Sequence, residues 1–107
     1  MTSAVQQLRE AQKIIAEQPE LGKYLRRGSC FCALQALAVA QGRGESDWSA
    51  IPETSAALRT LASCIGNRGY DNRSTVYHYN DAKDTTKEDI VRLFDQAIRK
   101  LTPRGKS

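Results

Sequence analysis

Apolar residues recur at spacings of three and four through residues 3–17. Ala4, Leu8, Ala11 and Ile15 form one stripe, Val5 and Ile14 widen it, and Gln, Arg, Glu and Lys fill the other side. That period predicts an amphipathic helix. Pro19 ends it, because the residue before a proline avoids the helical region. Residues 30–41, CFCALQALAVAQ, are apolar on almost every side. A helix of that kind is interior, and Ala33, Ala36, Ala38 and Ala40 let neighbours approach it closely. Ser29 is its expected N-cap, and Gly42 follows its end. A third stripe, Leu58, Leu61, Ala62 and Ile65, predicts a helix capped by Thr54 or Ser55 and ended by Gly66. The last helix has Thr85 and Glu88 in a capping-box pattern. Ile90, Phe94, Ala97, Ile98 and Leu101 form its face, and Pro103 closes it.

The connecting segments read differently. Residues 18–28 form a bent connector with Gly22 and Gly28. Residues 42–54 are a loop with one turn over 47–50, from which Trp48 covers the core. Residues 67–84 are polar and rich in turn formers, and 75–79 alternate as a short extended piece. One strand without a partner builds no sheet. Asn80 and Asp81 are expected to bond nearby backbone groups in an ordered lead-in that caps and docks the last helix, with Tyr77 or Tyr79 on the core. The expected fold is all-α: a compact bundle of about four helices around a buried central helix. Residues 1–102 form the single domain and 103–107 a flexible tail.

Composition adds the boundaries. A chain of 107 residues buries roughly 60–70% of its unfolded surface, enough for one core and too little for a deep two-lobed cleft. With 40% hydrophobic and 26% charged residues it has the balance of a soluble globular protein. No apolar run approaches the ~20 residues that span a bilayer, and MTSAVQQLREAQKII lacks the basic-then-apolar order of a secretory signal. The expected location is cytoplasmic, with no membrane contact. Three cysteines cannot form a complete disulfide set. In a reducing compartment they are small buried hydrophobes.

Candidate chemistry is sparse. Cys30, Cys32, Cys64 and His78 carry atoms that bind zinc, but Cys-x-Cys inside a helix turns its thiols roughly 200° apart. No metal site and no cofactor are expected. Cys30, near a helix N-terminus and downstream of Arg26 and Arg27, is a conceivable nucleophile with His78 as its base. Its apolar surroundings oppose that, and no catalytic residue is assigned. The net charge of +4 permits nucleic-acid contact without requiring it. The basic cluster KYLRRG supplies Lys23, Tyr24, Arg26 and Arg27, and Arg43 joins them as a nucleic-acid candidate. Trp48, Tyr70, Tyr77 and His78, in or beside polar loops, suit the anchors of a protein interface. A non-enzymatic module with a protein partner ranks first. Nucleic-acid binding ranks second, and a cysteine enzyme third.

Two stretches carry a resemblance: GSCFCALQAL, and YNDAKDTTKEDIVRLFDQAI, following an LREAQKII helix. In that order they resemble a family of small proteins of unknown function from actinobacteria and their phages, the domain of unknown function numbered 6197. Tyr79 stands where that pattern has tryptophan, and Cys32-Ala33-Leu34 lacks its glycine. The resemblance implies no activity. It implies a small cytosolic accessory protein, phage- or prophage-encoded, that binds a host or phage macromolecule.

Overall fold

The structure is a computed structural model that describes residues 3–22, 30–66 and 69–102. Among these residues there are five α-helices and no strand. The helices are α1 (Ala4–Ala16), α2 (Ala33–Ala40), α3 (Ala56–Ile65), α4 (Asn72–Asp81) and α5 (Lys87–Leu101), with a 3₁₀ turn at Glu45–Ala50. Helix α1 packs on α5 and α2, α3 packs on α4 and α5, and the 3₁₀ turn lies on α2. The radius of gyration, 12.6 Å, matches the ~13 Å of one globular domain of this length.

Amphipathic periodicity forms α1, α3 and α5 as expected. Leu8, Ala11 and Ile15 of α1 are buried, as are Ala57, Leu58, Leu61 and Ala62 of α3. Helix α5 buries Ile90, Leu93, Phe94, Ala97 and Ile98. The Ser3 and Ser55 hydroxyls accept from Gln6 N and Leu58 N, satisfying first-turn donors of α1 and α3. The capping box of α5 sits one residue later than predicted. Thr86 Oγ1 accepts from Asp89 N at 3.2 Å, and the Asp89 carboxylate accepts from Thr86 N at 2.9 Å. Thr85 is buried instead. Pro103 and the tail 103–107 lie outside the described residues.

Helix α2 is the central element. Ala33, Leu34, Gln35, Ala36, Leu37, Ala38 and Ala40 are all buried. It begins later than predicted, with Cys32 at the N-cap on extended backbone. The predicted cap, Ser29, lies outside the described residues. The chain entering α2 presents three successive N–H groups that side-chain amides accept. Phe31 N donates to Gln18 Oε1, Cys32 N to Gln35 Oε1 at 3.0 Å, and Ala33 N to Asn80 Oδ1 at 3.0 Å. Gln18 also donates to Phe31 O, which Gly22 N shares.

The larger correction concerns residues 72–81. They form a helix, where an extended piece was expected. Asp71 caps it by accepting from Ser74 N at 2.7 Å, and the same bond holds the Asp71 carboxyl below its usual range. Glu53 adds a second carboxylate at the positive end of the helix, accepting from Asn72 N and Arg73 N. Asn80 points inward from α4 and is fully buried. It bonds backbone, as predicted, but at α2 rather than at α5. Besides accepting from Ala33 N, its amide donates to Gly22 O at 2.9 Å and to Asp81 Oδ1 at 3.0 Å.

Loss of this amide leaves a buried N–H and a carbonyl without their partner. Such groups cost about 1–3 kcal/mol each. Asn80→Ala is expected to lower stability by roughly 2–4 kcal/mol, and Tm by at least about 8 °C, in thermal and urea unfolding. An unchanged Tm would refute the role given to Asn80.

Gly22 packs against the backbone of Cys30 and Phe31, where an added Cβ would lie 2.7 Å from Phe31 C. Backbone yields less readily than a side-chain tip. Gly22→Ala is expected to cost about 1–3 kcal/mol by the same unfolding measurements.

Candidate functional site

The predicted protein-binding residues converge. Trp48 comes from the 3₁₀ turn, Tyr70 from the loop before α4, and Tyr77 and His78 from the outer side of α4. Their rings form one continuous strip. Tyr70 stacks on His78 with centroids 4.5 Å apart and planes 23° apart, and His78 stacks on Tyr77 at 4.6 Å and 21°. Trp48 meets Tyr77 edge-on at 6.4 Å and 66°. Offset and edge-on pairs at these separations are the favoured arrangements of aromatic rings.

Local structure explains the order of the strip. Gly69, at φ +83°, adopts the left-handed turn that brings Tyr70 back along α4. The next residue, Asp71, starts the helix. Residues 74 and 78 are one turn apart, and His78 Nδ1 lies 2.8 Å from Ser74 O. A carbonyl only accepts, so Nδ1 carries the proton in this bond and the ring is held against rotation. Trp48 and Tyr77 are half-buried and also pack on the core, which anchors one end of the strip. At the other end Tyr70 is 51% exposed and is the exposed large hydrophobic side chain among the described residues. Ser74 and Gly69, which order the strip, were not predicted. Their signal in the sequence is the i, i+4 pair Ser74–His78 and a glycine just before an N-cap aspartate.

The other candidates do not join this site. Lys23, Tyr24, Arg26 and Arg27 lie outside the described residues. Arg43 is half-buried, donates from Nε to Gln41 Oε1 at 3.2 Å, and borders a cleft between the starts of α1 and α3. Arg73 pairs with Glu53 at 3.6 Å. Cys32 and Cys64 are free thiols. Among the described residues no group of three His, Cys, Asp or Glu side chains could hold a metal ion. His78 is engaged by Ser74, Tyr70 and Tyr77. Cys32 Sγ sits at the α2 N-terminus, which favours thiolate, yet burial dominates and pushes the thiol up to about 11. Cys64 is likewise pushed up by burial, with Lys100 opposing.

Fold and site together define a small all-α domain with an ordered aromatic strip built along α4 from three segments. The chain belongs to the family of unknown function DUF6197, whose family model matches residues 1–100. No curated protein and no solved structure matches it. Tyr79, at the position where the family pattern has tryptophan, is half-buried and packs on the core. Ala33, next to the missing glycine, is fully buried at the first position of α2.

The Cys32 thiol gives a signed pH dependence. Its proton is held more tightly in the folded state (about 11) than at the reference value of 9.0. That contribution is complete below pH 9 and is lost as pH rises through 11. The stability advantage of the wild type over Cys32→Ala should narrow by about 2 kcal/mol between about pH 8 and about pH 11. A constant gap in urea unfolding would contradict the buried thiol.

Proposed function

We propose that this protein is a cytoplasmic, non-enzymatic recognition module that binds a protein partner through the Trp48–Tyr77–His78–Tyr70 strip. One observation carries the reading: four aromatic side chains from three segments meet in a single ordered strip that ends in an exposed tyrosine. Tyr and Trp dominate interface energetics because they bury large area with few rotatable bonds. Here the rings are already ordered against one another, so less side-chain freedom is lost on binding. The free Cys32 and Cys64 thiols support a reducing compartment. The phage or prophage setting implied by the sequence resemblance would make the partner a host or phage protein.

The test is affinity capture with wild type and Tyr70→Ser, followed by titration of the captured partner. Tyr70 is peripheral to the core, so its replacement should leave Tm within about 2 °C. It should weaken the partner by roughly 30-fold, the effect of losing one interface anchor. If the captured proteins and their affinity are the same for wild type, Tyr70→Ser and His78→Ser, the strip is not the interface.

A further inference from the structure

A second surface has a different chemistry. Helix α3 faces the core with Leu58, Leu61 and Ala62 and presents Ala56, Arg59, Thr60 and Ser63 on its other side. That outer stripe forms one wall of a cleft of about 540 Å³, completed by Asn72 at the start of α4 and by Lys100 and Leu101 at the end of α5. Among the described residues two cations and two hydroxyls line it, and no carboxylate does. The walls of the concavity therefore carry two positive charges. Such a surface concentrates counter-ions.

The two cations differ in state. Lys100 Nζ donates to Ser63 Oγ at 2.7 Å, which holds the ammonium over the cleft and leaves it two further N–H donors. The Arg59 guanidinium makes no hydrogen bond or ion pair with a described residue, although Arg73 and Arg92 both find carboxylates. Its planar fork matches two oxygens of one tetrahedral anion. Leu101 and Ala56 add an apolar border, which a bare ion would not use.

We propose that the Arg59–Lys100 cleft binds a small phosphate ester, its phosphoryl oxygens on Arg59, Lys100 and the Ser63 hydroxyl, its organic part against Leu101 and Ala56. The volume lies in the range of small-ligand sites. This inference is independent of the aromatic strip, and either can fail alone.

The experiment is an NMR amide titration of the whole protein at low salt, with inorganic phosphate, phenyl phosphate and phenol as probes. Phenyl phosphate should give saturable shifts confined to residues 56–63, 72 and 100–101. It should bind tighter than inorganic phosphate, and phenol should leave these amides unmoved. Arg59→Gln and Lys100→Gln should each weaken phenyl phosphate by about tenfold or more, the effect of removing one charge-assisted hydrogen bond. Lys83→Gln, on an exposed lysine elsewhere, should change nothing. The Arg59 side chain is exposed and makes no bond to a described residue, so its variant folds. Shifts spread over every basic residue, or unchanged binding by Arg59→Gln, would overturn the site. Equal affinity for phosphate and phenyl phosphate would overturn the ester as its ligand.

Discussion

Three consecutive backbone N–H groups, those of Phe31, Cys32 and Ala33, set the terms for the rest of the fold. They lie at the entrance to the most buried helix, the bonds of Cys32 N and Ala33 N fully buried and that of Phe31 N partly so. A buried N–H left unpaired costs free energy comparable to a lost hydrogen bond. Each is accepted by a neutral side-chain amide: Gln18 from beyond α1, Gln35 from α2 itself, and Asn80 from α4. Neutral amides suit the place. A carboxylate would accept as well, but it would bring a charge into the interior and could not donate to Gly22 O, as Asn80 does. The start of α2 is thereby tied to the end of α1, to the connector at Gly22 and to α4.

That tie also determines where recognition can occur. Asn80 and His78 are two residues apart on α4 and so project on roughly opposite sides of it. Fixing Asn80 inward turns His78 outward, while Tyr77 stays half-buried between His78 and the core. At the other end of α4, Glu53 and Asp71 satisfy the first-turn N–H groups. The helix that carries the aromatic strip is thus pinned at both ends by polar bonds, and its own apolar contribution to the core is small: Val76, with the partly buried Tyr77 and Tyr79. A helix with so little hydrophobic anchorage depends on those bonds for its position.

The same fact explains which parts of the structure were legible in the sequence. Helices α1, α3 and α5 show continuous apolar stripes, so periodicity finds them. The interior character of α2 follows from its all-round apolarity. Helix α4 was missed because NRSTVYHYND puts an asparagine at a core position, and Ser, Thr, Asn and Asp are poor helix formers. Its Val-Tyr-His-Tyr run reads as alternation when the buried role of Asn80 is unknown. The start of α2 was displaced because Ser29 is the better capping residue by type, whereas Cys32 takes the cap once Gln35 and Asn80 supply the acceptors. The aromatic candidates were legible as residue types. Their convergence was not, because it depends on α4 being a helix.

Two effects compete at the Cys32 thiol. A helix N-terminus stabilises thiolate, and Cys32 occupies that position. Burial destabilises it, and Cys32 is 1% exposed. The shift to about 11 shows burial winning, so at neutral pH the residue is a protonated packing atom. The helix end most suited to activating a nucleophile is closed over by its own amide clamp. Exposed side chains include Tyr70 and His78 before and on α4 and the cations Arg59 and Lys100 on α3 and α5. Binding surfaces are made of such groups, and the dry interior they rest on is the scaffold that holds them in place.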